Sequence, residues 1–163
     1  DLPDLMGACN KPIIAAVNGH AITGGFELAL NCDFIIAAEN AQFSDTHARV
    51  GIHPGWGMTQ LLQQTVGQRR AKQISFACQP IYAHTALAWG LVNEVLPREH
   101  LLDRAKTIAA QIVQADPHLL ATIKGLIESR NHGPLDTGLD TERKGFRRFV
   151  SEQLGRIAPS SKE

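Results

Sequence analysis

Two rhythms of apolar residues run along this chain. Up to about residue 97 they come in short bursts separated by glycine, proline and polar residues. Ile13–Asn18 is a β-branched and small apolar run ending at Gly19, and it reads as a buried strand. Gly24-Gly25 then opens a helix from roughly Phe26 to Asn31. Phe34–Ala38 reads as a second buried strand and Ala41–Ser44 as a third, shorter one. Gly51-Ile52-His53-Pro54-Gly55-Trp56-Gly57 is a loop, because proline and three glycines do not fit inside a helix. Helices follow over Met58–Thr65, Arg69–Ala77 and His84–Trp89, the last stopped by Gly90. Leu91–Leu96 reads as a strand closed by Pro97. Strands alternating with helices predict an α/β layout.

From Glu99 the spacing turns helical. Leu101, Leu102, Ala105, Ile108, Ala109 and Ile112 recur at steps of three and four on one face. Asp116-Pro117 restarts a helix, with proline at its favoured first position. Leu119, Leu120, Ile123, Leu126 and Ile127 continue an apolar face until Gly133-Pro134 breaks it. A last helix is expected over Leu135–Gln153, with Leu139, Phe146, Phe149 and Val150 on its apolar side. The chain therefore divides into an α/β segment, residues 1–97, an all-helical segment, 98–153, and a frayed tail, 154–163.

Composition narrows the classes. At 163 residues, the chain has the length of about one domain. Its longest wholly apolar runs, Ile13–Val17 and Phe34–Ala38, are far shorter than the ~20 residues of a membrane-spanning helix, so no membrane partner is expected. Sixteen basic and sixteen acidic residues balance to zero, which argues against nucleic acid as a partner. Cys9, Cys32 and Cys78 lack the spacing of a metal site or a disulfide framework and read as reduced thiols of a cytoplasmic protein. Asp1-Leu2-Pro3-Asp4 resembles neither a signal nor a transit peptide. The missing initiator Met suggests a chain that was cut or that starts within a longer one, so a lost targeting segment stays open.

The richest segment for chemistry is Asn18 to Glu27. Gly19 and Gly24 have the spacing of a phosphate loop, but Gly25 and Phe26 stand where its lysine and hydroxyl residue would be, so a triphosphate has no counter-charge. Two readings of Gly24-Gly25 remain. One is a tight turn between strand and helix. The other is a helix start whose unpaired N–H groups hold an oxygen that becomes anionic during reaction. Glu27 likewise reads either as a cap reaching back toward Gly24 or as a general base beside that oxyanion position.

Ser44-Asp45-Thr46-His47 invites comparison with a hydrolase triad, although no G-x-S-x-G elbow is present. His20, His47 and His53 lack metal-ligand spacing, so no metal is expected. Trp56 and Trp89 read as packing residues. Arg143, Lys144, Arg147 and Arg148 form either a solvated basic face or one turned toward an anion such as phosphate.

An ordered set of motifs resembles the crotonase, or enoyl-CoA hydratase/isomerase, superfamily. It comprises Lys11-Pro12-Ile13-Ile14-Ala15-Ala16-Val17-Asn18-Gly19-His20-Ala21, Gly24-Gly25-Phe26-Glu27-Leu28-Ala29, Cys32-Asp33 and Ala41-Gln42-Phe43. The loop Gly51-Ile52 through Pro54-Gly55, Gly57 and Thr59-Gln60 follows, then Val66-Gly67, and Ala83 to Pro97 with Gly90-Leu91-Val92-Asn93-Glu94-Val95. The likeness covers roughly residues 9–152. It implies a spiral of ββα turns followed by a helical region that builds trimers or dimers of trimers. It implies fatty-acid metabolism, with an acyl-CoA thioester as substrate and no separate cofactor, since the substrate carries the coenzyme A. By position, Gly24 resembles the second of two backbone donors to the thioester oxygen. Glu27 resembles the first of two water-handling glutamates. Gly55 resembles a loop glycine whose N–H helps place that water.

The sequence departs from that family in three places. His47 stands where the second glutamate is expected, twenty residues after Glu27, and a histidine can both donate and accept a proton near neutral pH. The chain begins where the family is well under way, so this polypeptide is expected to hold one oxyanion donor of two. The loss of one such donor costs about 10²–10³ in rate. The likeness ends near Glu152, and Leu154–Glu163 does not resemble the helix that usually follows. The reading is an acyl-CoA enzyme that adds water across a conjugated 2-enoyl thioester, with Glu27 as base on the water and His47 as a second acid/base or a water-orienting group. The alternatives are an enoyl-CoA isomerase or another enolate-forming relative, and a non-catalytic assembly or binding module.

Overall fold

A computed structural model describes residues 2–129, 131 and 133–157, with side chains through Glu152. Two compact units divide between Ala115 and Asp116.

The first unit is built on two small sheets. In the first, β1 (Ile14–Val17), β3 (Phe34–Ala38) and β6 (Glu94–Leu96) lie side by side and parallel, with β3 in the centre. In the second, β4 (Gln42–Ser44) is flanked by a parallel β2 (His20–Ile22) and an antiparallel β5 (Ile81–Tyr82). Ile14 pairs with Phe34 and His20 with Gln42, so consecutive strand pairs stack. This is the ββα winding that the resemblance implies. The central strand reads as a continuous apolar run because both its faces are covered: Ile35, Ile36, Ala37 and Ala38 are all buried.

Helix α2 (Gly24–Leu30) leaves β2 and buries Phe26, Glu27 and Ala29. Phe26 meets Phe43 of β4 with ring centroids 5.4 Å apart and planes tilted by 55°, a favourable aromatic geometry. Met58, Leu62 and Val66 of α4 (Met58–Val66) and Ala71 and Ile74 of α5 (Gln68–Ala77) complete this core.

Several short elements escape the sequence reading: α1 (Leu2–Gly7), β2, α3 (His47–Val50) and β5. Leu91–Leu96 is a strand only from Glu94. Leu91 and Val92 are buried, but their N–H groups turn back to the Ala86 carbonyl at the end of α6 (Ala83–Ala88).

The spacing sets a boundary at 97/98, whereas the compact division falls after Ala115. Helix α7 (Arg98–Ile112) belongs with the sheets because Leu101, Ala105 and Ile108 pack on Ile36, Ala38 and Ile14. Arg104 of α7 also grips Glu94 of β6 through Nε at 2.7 Å and Nη2 at 2.6 Å.

The second unit contains α8 (Pro117–Ser129) and α9 (Leu135–Ile157). Of the expected frayed tail, Leu154–Ile157 continue α9 instead, and the rest lies outside the described residues. Among the described residues no helix is long and apolar enough to cross a membrane.

Candidate functional site

The turn from β2 into α2 is tight. Thr23 takes φ 52° and ψ −113°, a region side chains rarely adopt. Two contacts hold it there. Its N–H donates to the Ser44 carbonyl at 2.9 Å, and its hydroxyl hydrogen-bonds that of Thr46. Thr23 precedes α2 and Thr46 precedes α3, so the starts of two helices from successive windings are tied together. Gly24 is the first residue of α2, partly exposed. A Cβ added there would lie 3.8 Å from the indole of Trp56.

Glu27 sits one turn into α2 and is 3% exposed. Burial of a carboxylate is costly unless its oxygens find donors. Oε1 accepts the N–H of Trp56 at 2.9 Å and that of Met58 at 3.2 Å. Met58 opens α4, so Glu27 caps a neighbouring helix through space. It does not reach back along its own helix toward Gly24. The loop is held from the other side too: Asn31 Nδ2 donates to the Trp56 carbonyl at 2.7 Å and to the Glu27 carbonyl at 2.8 Å.

The second carboxylate oxygen, Oε2, faces His47 Nε2 at 3.6 Å. Across the ring, His47 Nδ1 lies 2.7 Å from Asp45 Oδ1, which also accepts the His47 backbone N–H at 3.1 Å. Glu27, His47 and Asp45 thus form a continuous buried row, with exposures of 3%, 5% and 2%. Among the described residues no buried side-chain nitrogen or oxygen lacks a partner.

Two of the sequence-derived site residues, Glu27 and His47, therefore face each other directly. Gly24 begins the helix that carries Glu27. Gly55 is an exposed loop residue next to Trp56, whose own N–H meets the carboxylate. Sequence reasoning passed over Asp45 as a partner of this pair. Its signal was local, an aspartate two residues before a histidine at a helix start, but it was weighed only for a serine triad. The ring edge such a triad aims at a hydroxyl is turned toward Glu27 instead.

Elsewhere, Trp89 packs against the core of the first unit, and Arg70 lies over its ring at 5.1 Å. Lys144 pairs with Asp140 at 2.6 Å on the exposed face of α9. Among the described residues no cluster of histidine, cysteine and carboxylates could hold a metal ion.

Comparison with known proteins identifies the family. The family model described as enoyl-CoA hydratase/isomerase matches residues 1–158. A short-chain-enoyl-CoA hydratase of Clostridium acetobutylicum is 43% identical over 136 residues, covering 83% of this chain and 52% of that protein. A probable peroxisomal enoyl-CoA hydratase 1 of Arabidopsis thaliana is 38% identical over 146 residues, covering 90% and 55%. Among solved structures, an enoyl-CoA hydratase from Bacillus anthracis superposes with a TM-score of 0.86 at 36% identity, covering 91% of this chain and 58% of that one. The chain spans about half the length of the curated relatives it matches.

Proposed function

Given that this chain belongs to the enoyl-CoA hydratase/isomerase family, we propose that it carries the water-handling side of a site that hydrates 2-enoyl-CoA thioesters. The observation that supports this most directly is the Glu27 carboxylate. It is fixed through Oε1 by two backbone N–H groups, while Oε2 faces a second group able to exchange a proton, His47 Nε2.

In this reading the thioester oxygen accepts the N–H of Gly24, which draws electron density from the conjugated double bond. Glu27 Oε2 takes a proton from water, and the water oxygen bonds to the β-carbon. The π electrons move onto the thioester oxygen as an enolate. The α-carbon is then protonated and the carbonyl re-forms. His47 Nε2 either orients the water or passes the proton. Pinned, buried groups lose little freedom in reaching this arrangement, which is how positioning lowers a barrier. The Gly24 and Gly55 roles rest on the family likeness.

Double-bond isomerisation is the second reading, favoured by histidine in place of a second carboxylate. A single base can shuttle a proton between carbons without adding water.

Assembly into trimers or dimers of trimers belongs to the proposal. It is supported by apolar residues left exposed within the second unit, among them Ile127, Phe146 and Phe149. A cytoplasmic location is likewise proposed, on the thiol composition; the Arabidopsis relative's name places that protein in the peroxisome.

The test is turnover of a short 2-enoyl-CoA, followed by loss of the conjugated thioester's ultraviolet absorbance, with Glu27→Gln in parallel. A 3-hydroxyacyl-CoA product abolished by the substitution supports hydration. A shifted alkene supports isomerisation. No turnover of either substrate class by a folded chain of confirmed mass overturns both for this polypeptide.

A further inference from the structure

Asp45 takes no part in the chemistry above, yet it is among the most deeply buried ionisable side chains of the first unit. It lies at the outer end of the Glu27–His47–Asp45 row. We propose that Asp45 is a positioning residue: it keeps the proton of His47 on Nδ1 and turns the ring so that Nε2 faces Glu27.

The argument runs from donor and acceptor capacity. A carboxylate only accepts hydrogen bonds. Asp45 Oδ1 lies 2.7 Å from His47 Nδ1, so the hydrogen of that bond is carried by the ring nitrogen. The same Oδ1 accepts the His47 main-chain N–H at 3.1 Å. One oxygen thus holds both the residue's backbone and the inner edge of its ring, which leaves the ring little freedom to flip. With Nδ1 committed, Nε2 is the single ring position left to exchange a proton. It sits 3.6 Å from Glu27 Oε2, too far for a direct hydrogen bond. That spacing lets both groups address one small molecule or one reacting carbon lying beside them.

The polar side chains next to His47 in the chain are engaged elsewhere. Arg49, two residues on, directs Nη2 to the Cys78 carbonyl at 2.6 Å. The Thr46 hydroxyl is engaged with Thr23. Without Asp45 the neutral ring would be free to carry its proton on Nε2, where it can donate toward Glu27, and Nδ1 would become the bare nitrogen. The exchangeable position would then face away from Glu27. This is a stronger constraint than histidine in a loop usually has, since which nitrogen is protonated is set by the partner of the other.

The catalytic meaning of this arrangement rests on the hydration reading; the state of the ring does not. The experiment is long-range ¹H–¹⁵N correlation of the imidazoles in the full chain at alkaline pH. The His47 ring, one of seven, is assigned by its loss in His47→Gln. The expected result is a protonated Nδ1 in the parent chain and, in Asp45→Ala, a bare Nδ1 with the proton on Nε2. A bare Nδ1 in the parent chain overturns the proposal, and that arm needs no variant to fold. A protonated Nδ1 retained in folded Asp45→Ala overturns it equally. In a chain that turns over 2-enoyl-CoA, Asp45→Ala is expected to lower kcat by about 10²-fold with KM little changed. Absence of turnover with the ring signature intact counts against hydration and leaves the role of Asp45 standing.

Discussion

The carboxylate of Glu27 on α2 accepts the N–H of Met58, the first residue of α4, at 3.2 Å. A side chain proposed to move a proton is therefore also the cap of a neighbouring helix, and its two oxygens divide the labour. Glu27→Gln keeps an oxygen for the N–H groups of Trp56 and Met58 but removes the base. Activity is expected to fall by about 10²–10⁴-fold while stability changes little. Glu27→Ala strips both N–H groups of their acceptor, at about 1–3 kcal/mol for each. Denaturant unfolding separates the two effects. A Glu27→Ala chain as stable as the parent would show that the carboxylate does not hold the loop.

Gly57 stands between these two donors with φ +102°. A Cβ there would lie 2.8 Å from Leu61 Cδ1. Gly57→Ala is expected to destabilise the chain by about 1–3 kcal/mol through backbone strain. It should also shift the Met58 N–H away from Glu27, lowering kcat more than it raises KM. Unchanged thermal unfolding and unchanged kinetics would both contradict this.

Arg104 and Glu94 join α7 to the first sheet. The hydrogen bonds from Arg104, and to a lesser degree its charge, hold Glu94 below its ordinary value of 4.5. A carboxylate with a lowered folded value adds stability above its unfolded value and loses it as pH falls through the folded one. Arg104→Met is therefore expected to be less stable than the parent near neutral pH. The gap should close as the solution is acidified below about 4.5. Salt should narrow it as well, because the pair is partly exposed. Urea unfolding across that pH range measures the effect, and a gap that widens with acid would refute it.

Phe43 is fully buried against Phe26, on the strand that leads to Asp45. Phe43→Ala should cost about 3–5 kcal/mol, the range for truncating a buried aromatic. The unfolding midpoint reads this directly. A loss under 1 kcal/mol would mean that the core closes over the vacancy.

Much of this was legible from residue order. Continuous apolar runs such as Phe34–Ala38 marked strands buried on both faces, and Gly24-Gly25 marked the start of α2. The two- and three-residue strands β5 and β2 were not legible, because an alternating pattern needs more residues than they have. The apolar face of α7 was visible, but periodicity does not say what covers a face, and the cover is the first sheet. At the site, the family likeness paired Glu27 with His47, while the groups that hold each of them were not legible. The partners of Glu27, Trp56 and Met58, are 29 and 31 residues away in sequence. No local spacing announces a cap that arrives from another winding of the chain.

The stacked strand pairing has a consequence for how the site is kept in tune. Phe34 lies beside Ile14 and Gln42 beside His20, so each level of the coil takes its height from the one beneath. The separation between Glu27 and His47 is accordingly a matter of pitch, set by the count of residues from one level to the next. One residue added within the paired stretch Gln42–Ser44 would carry His47 about 3.3 Å along the strand direction, nearly the whole of the 3.6 Å gap across which Glu27 and His47 now meet. Length polymorphism is therefore expected in exposed turns such as Glu39-Asn40, and the paired stretch Gln42–Ser44 should tolerate none.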